Sequence, residues 1–76
     1  MTYVLLNSVN KVNKFTKIVD NIEEDIDIKG GRYIVNAKSI LGIFSLNLAE
    51  PLELIIHTED EGRINQIKDL LVDYIV

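Results

Sequence analysis

Residues Asp25-Ile26-Asp27-Ile28-Lys29-Gly30-Gly31-Arg32-Tyr33-Ile34-Val35-Asn36-Ala37-Lys38-Ser39-Ile40-Leu41-Gly42-Ile43-Phe44-Ser45-Leu46 carry the pattern that decides the fold. Asp25 to Lys29 alternates polar and apolar, the rhythm of a strand buried on one side. Gly30-Gly31 supplies the positive φ angles of a tight turn, and Arg32-Tyr33-Ile34-Val35 returns as the second strand of a hairpin. Ser39 then stands between a strand-like segment and a short apolar helix predicted over Ile40 to Leu46. As N-cap, its side-chain oxygen accepts a hydrogen bond from an otherwise unpaired backbone N–H of the first turn. Gly42 occupies the place of a capping-box Glu, so the reciprocal half of that box is missing. Ile40, Leu41 and Phe44 share one helix face, and Ile43 and Leu46 fall on a flanking side. Two apolar sets predict one buried face and one exposed patch.

Working outward toward the N-terminus, Val12, Phe15, Ile18, Val19 and Ile22 recur at three- and four-residue steps with Lys11, Lys14 and Lys17 between them, which predicts an amphipathic helix over Val9 to Ile22 capped by Asn10. Tyr3 to Leu6 reads as a short buried strand, and Asn7-Ser8 as punctuation. Toward the C-terminus, Glu50-Pro51 blocks helix continuation, and Leu52-Glu53-Leu54-Ile55-Ile56-His57 is a strand with Leu52, Leu54 and Ile56 on one face. Glu59-Asp60-Glu61 suits the positive end of a helix dipole, and Ile64, Ile67, Leu70, Leu71, Tyr74 and Ile75 continue at helical spacing. The order is β-α-β-β-α-β-α. One-sided strands must cover their apolar face with helix stripes, so the expected class is α+β: an antiparallel sheet with helices on one side.

With 76 residues the chain is a single domain, residues 1-76, and with no Cys its stability must come from packing of the 47% hydrophobic residues. Thiolate metal sites are excluded, and no cofactor box is present. A net charge of -4 argues against general affinity for nucleic acid or anionic lipid. The opening residues lack the basic and long apolar regions of a secretion signal, and no run is long enough to span a bilayer, so a cytoplasmic location is expected. A protein partner fits this charge best.

The segment Val35 to Leu46, with Asn36, Lys38-Ser39-Ile40, Gly42 and Ser45-Leu46, resembles the regulatory serine segment of the HPr family, the histidine-containing phosphocarriers of bacterial sugar phosphotransferase systems. It is more similar still to that of their catabolite-repression relative, which lacks the active histidine. The resemblance implies an open-faced β-sandwich, with four strands ordered 1-4-2-3 beneath three helices. It is specific in that segment, extends from Ile26 to Ile56, and is only topological in the first twenty residues and the last helix. The family's Gly-x-His-Ala-Arg-Pro segment at the start of the first helix is absent. Counting back from Ser39, Ser8 takes the histidine position, Asn10 the arginine position and Lys11 the proline position. Imidazole is nucleophilic near neutral pH, whereas a serine hydroxyl needs an activating base. The chain is therefore expected not to carry phosphohistidine and not to be an enzyme.

The resemblance further implies that Ser39 is phosphorylated by an ATP-dependent HPr kinase, and that the phosphorylated form binds a LacI-type transcriptional regulator as corepressor; phosphotransferase components are the alternative partners. A phosphate at a helix N-terminus gains about 1 kcal/mol from unpaired N–H groups and the dipole. Ile40, Leu41 and Phe44 would form the apolar part of the partner surface, and Lys11 and Lys14 its basic part. Read without the resemblance, Ser39 is an ordinary cap, Ile40, Leu41 and Phe44 are core, and Lys11, Lys14 and Lys17 form a solvated face. His57 reads as an ordinary exposed strand residue, and Glu59-Asp60-Glu61 as a helix start and not a metal site. The rival readings are an HPr-fold interaction module without phosphorylation, a ferredoxin-like small-molecule regulatory domain, and a catalytic domain using Ser8 or His57.

Overall fold

The computed structural model describes residues 1–76. Its elements are β1 (Thr2–Val4), α1 (Val9–Val19), β2 (Ile26–Gly30), β3 (Tyr33–Asn36), α2 (Ile40–Phe44), β4 (Leu52–Ile56) and α3 (Glu61–Leu70), in the expected order. The strands form one antiparallel sheet in the order β1-β4-β2-β3. β4 and β2 are the two central strands, and Leu54 of β4 is paired on both sides, with Thr2 of β1 and with Ile28 of β2.

The hairpin follows from chemistry at its tip. Gly31 alone has a positive φ, at 59°, and sits first in the two-residue loop between paired Gly30 and Tyr33, the arrangement of a type II′ turn. The expectation that both glycines adopt positive φ is thereby corrected: Gly30 is the last residue of β2. Ile26 and Ile28 point into the core, and Asp27 and Lys29 point to the open face of the sheet.

The core joins Val4, Ile26, Ile28, Leu52 and Leu54 from the sheet to Val12, Phe15, Val19, Ile43, Ile67 and Leu71 from the helix layer. Fully burying side chains of this kind contributes about 1.5–3 kcal/mol each before the entropy of ordering is charged against it. Phe15 and Tyr74 meet edge to face, with centroids 5.5 Å apart and planes at 83°.

Four local expectations change. Asn10 is not the cap of α1. Ser8 is, because its extended backbone frees its oxygen to accept the Lys11 N–H at 3.1 Å. α1 ends at Val19, with Ile22 buried in the turn that follows. α2 stops at Phe44, where Ser45 donates its hydroxyl to the Gly42 carbonyl at 2.6 Å. Tyr74 and Ile75 do not extend α3: the segment turns and runs beside β1, with Leu5 N–H donating to the Tyr74 carbonyl at 2.8 Å and Val76 N–H to that of Tyr3 at 3.0 Å.

Candidate interaction site

Ser39 caps α2 as expected. Its backbone is extended, its side chain is exposed, and its oxygen accepts the Gly42 N–H at 3.1 Å. Gly42 suits a close approach: a Cβ there would lie 3.1 Å from both Ser39 Oγ and Val35 Cβ, so a larger residue needs one of these neighbours to give by a few tenths of an ångström. The approach to Ser39 is also fixed. Asn36 Oδ1 accepts the Lys38 N–H at 2.8 Å, and Lys38 Nζ donates to the Ile22 carbonyl at 2.7 Å, tying the start of α2 to the end of the α1 region.

Only Ile43 of α2 is buried, with Leu46 just beyond it. Ile40, Leu41 and Phe44 are 41%, 84% and 39% exposed. The two apolar sets separate as their spacing predicts. Ile40 and Leu41 follow Ser39 directly and Phe44 closes the same short helix, so the exposed hydroxyl and the exposed apolar side chains share α2. α2 has only five residues, so its dipole is short, and its Gly42 N–H is already bonded to Ser39 Oγ.

The sheet register sends α1 and α2 in opposite directions across the helix layer. Ser8 follows β1 from the end of the sheet near Leu52, whereas Ser39 follows β3 from the end near Ile26. Ser8 and Ser39 are therefore at opposite ends of the layer. Lys14 is exposed and Lys11 half-buried on α1. The Ser8 oxygen receives the Lys11 N–H, the task of a helix cap.

His57, the chain's one histidine, lies just past β4 and is exposed. It is not unaccompanied: its Nε2 is 2.7 Å from Asp27 Oδ2 on the neighbouring strand, a pairing that sequence reading missed because the two residues meet only through the β2–β4 register. A second unforeseen pair joins Glu24 to Arg63, with Nε donating to Oε2 at 2.7 Å. That hydrogen bond holds the Glu24 carboxyl below its ordinary value against the opposing effect of desolvation, and it raises Arg63. Asp60 caps α3 by accepting the Arg63 N–H at 3.1 Å, so one acid of the Glu59-Asp60-Glu61 run has a plain structural task. No group of three or more potential ligands is placed to hold a metal ion.

A four-stranded 1-4-2-3 antiparallel sheet under three helices, with a serine-capped second helix presenting apolar residues, defines an α+β protein of HPr-like fold. The structure is similar to HPr-C-His from Thermoanaerobacter tengcongensis, with a TM-score of 0.76 and 25% identity over 96% of this chain and 85% of that one. It is also similar to Crh, the Bacillus subtilis catabolite repression protein, with a TM-score of 0.65 and 22% identity over 100% of this chain and 88% of that one; Crh was crystallised as a domain-swapped dimer. No protein-family model matches the chain, and no curated protein matches it. The strand order excludes the ferredoxin-like alternative. No helix is long and apolar enough to cross a membrane.

Proposed function

We propose that this protein is a non-catalytic, HPr-like regulatory protein of the phosphotransferase or carbon-catabolite type, switched by phosphorylation of Ser39. One observation carries the reading: an exposed hydroxyl at the start of α2 stands on the same short helix as three exposed apolar side chains, Ile40, Leu41 and Phe44. A phosphoryl group on Ser39 keeps an oxygen within reach of the Gly42 N–H and adds negative charge beside an apolar surface. An Arg-bearing protein recognises that combination through charge-assisted hydrogen bonds and burial together. A regulator of the LacI type is the partner that the family resemblance implies, with Lys11 and Lys14 available to acidic groups of phosphotransferase components.

Phosphohistidine transfer has no support in the positions present. The residue in the histidine position is Ser8, which serves as a cap, and His57 lies at the far end of β4, paired with Asp27. The competing reading keeps the α2 patch as a protein-binding surface and dispenses with phosphate.

The test is intact-protein mass after incubation with ATP and a bacterial HPr kinase, run beside Ser39→Ala. Gain of one phosphate by the parent alone supports the switch. No gain, with the kinase active on a standard HPr, removes the switch and leaves the interaction module.

A further inference from the structure

The two edges of the sheet are finished differently. At the β1 edge the chain's own Tyr74–Val76 lies alongside, bridging Ile75 to Val4. At the other edge, β3 has β2 on one side and no strand on its other. The direction of its backbone groups follows from the ladder. Ala37 N–H donates to the Ile26 carbonyl at 2.9 Å, and antiparallel pairs alternate, so Tyr33 and Val35 aim their groups at β2 while Ile34 and Asn36 aim theirs outward. Ile34 therefore presents a free N–H and C=O on an edge where Tyr33 and Ile34 are 66% and 58% exposed. Proline, charge and bulges are the usual guards of such edges, and Tyr33-Ile34-Val35-Asn36 has none of them.

We propose that this edge pairs with the same edge of a second copy of the chain, antiparallel, about a two-fold axis at Ile34. In that register the Ile34 residues of the two copies exchange both backbone hydrogen bonds. Their side chains stack on the open face of the joined sheet. On the helix side, Tyr33 of each copy lies opposite Val35 of the other, an aromatic and β-branched pairing that favours antiparallel strands. Arg32 lies opposite Asn36, whose outward N–H is aimed at the Arg32 carbonyl of the other copy. Charge selects this register. A slide that brings Val35 opposite Val35 sets Arg32 against Lys38, and one that brings Tyr33 opposite Tyr33 sets Arg32 against Ile34. Only the Ile34-centred register opposes no like charges and leaves each apolar residue facing an apolar one. The interface is isologous and closes at two copies.

The test uses sedimentation of the full chain from about 10 µM to about 1 mM, a range suited to an edge this short. The weight-average mass of the parent is expected to rise with concentration above the 8.6 kDa of one chain. Ile34→Glu sets a carboxylate opposite Lys29 within one copy and carboxylate against carboxylate across the axis. It is expected to melt like the parent and remain monomeric throughout. Because the chain has no cysteine, Ile34→Cys and a control, Leu41→Cys at the 84% exposed patch, report contact directly. Paired Cα positions at this spacing lie within disulfide reach, so oxidation is expected to link the first variant at least about ten-fold faster than the second. A monomeric parent at every concentration, a dimer that survives Ile34→Glu, or equal cross-linking at the two positions overturns the proposal.

Discussion

α1 and α2 start alike: each opens on a serine whose oxygen accepts the N–H three residues ahead, at 3.1 Å in both. From there they diverge. α1 runs for eleven residues and buries Val12, Phe15, Thr16 and Val19, turning lysines outward. α2 runs for five and buries only Ile43, turning Ile40, Leu41 and Phe44 outward. A helix of five residues is too short to be stable by itself, so α2 exists because Ile43 and Leu46 seat it and Gly42 lets it close on β3. The lesson is that one kind of cap serves two tasks: it starts a scaffold in α1 and frames a surface in α2.

The largest effect that tests this contrast is at Phe15. Phe15→Ala removes a fully buried ring packed on Tyr74 and is expected to cost about 3–5 kcal/mol, enough to unfold much of the population of so small a domain. Ile43→Ala, also fully buried but on the shorter helix, is expected to cost about 2–4 kcal/mol in urea denaturation. If Ile43→Ala proves neutral, α2 is not seated by that side chain and the contrast collapses. Next come the caps. Ser8→Ala and Ser39→Ala are each expected to cost about 1 kcal/mol, which denaturation curves of the two variants measure side by side. A much larger loss at Ser8 than at Ser39 would show that the caps are not equivalent after all.

The acid limb of stability offers a finer test, at the junction between the end of α1 and the start of α3. Arg63 holds the folded Glu24 carboxyl below its ordinary value of 4.5. The folded state thus binds that proton less readily than the unfolded state. The pair's contribution is complete above the ordinary value and is lost as pH falls through the lower, folded one. Glu24→Gln is therefore expected to flatten the decline of melting temperature below about pH 4.5, a range set by this group's ordinary titration. A slope unchanged from the parent would show that the pair is idle. The smallest effect belongs to Leu41→Ser. At 84% exposure it is expected to change stability by no more than about 0.5 kcal/mol, so any loss of partner binding by this variant is a loss of surface and not of fold.

Local chemistry was legible before the structure. The alternation of Asp25 to Lys29, the place of the turn and the cap at Ser39 depend on residues within a few positions of one another and stand as read, whereas the division of labour between Gly30 and Gly31, only the second of which takes a positive φ, does not. The separation of Ile43 from Ile40, Leu41 and Phe44 was legible for the same reason, since helix geometry fixes it. Long-range partners were not. Asp27 finds His57, Glu24 finds Arg63 and Lys38 finds the Ile22 carbonyl only after the sheet register and helix packing have formed, and nothing in the local sequence encodes those distances. Tyr74 and Ile75 misled by periodicity, because apolar residues at helical spacing serve equally well in a segment that folds back on β1. Ser8 and Asn10 are both good caps, and the choice between them rests on where the chain leaves β1.

The sheet order has a kinetic consequence. β2 and β3 are joined by a two-residue turn, so their pairing closes a small loop and can form early. β1 meets β4 across about two-thirds of the chain, Thr2 to Leu54, and gains nothing until the intervening elements are in place. A transition state organised around the hairpin is the expected outcome, with larger φ-values for truncations at Ile28 than at Val4. The reverse ranking would place the nucleus at the closing of the chain's two ends.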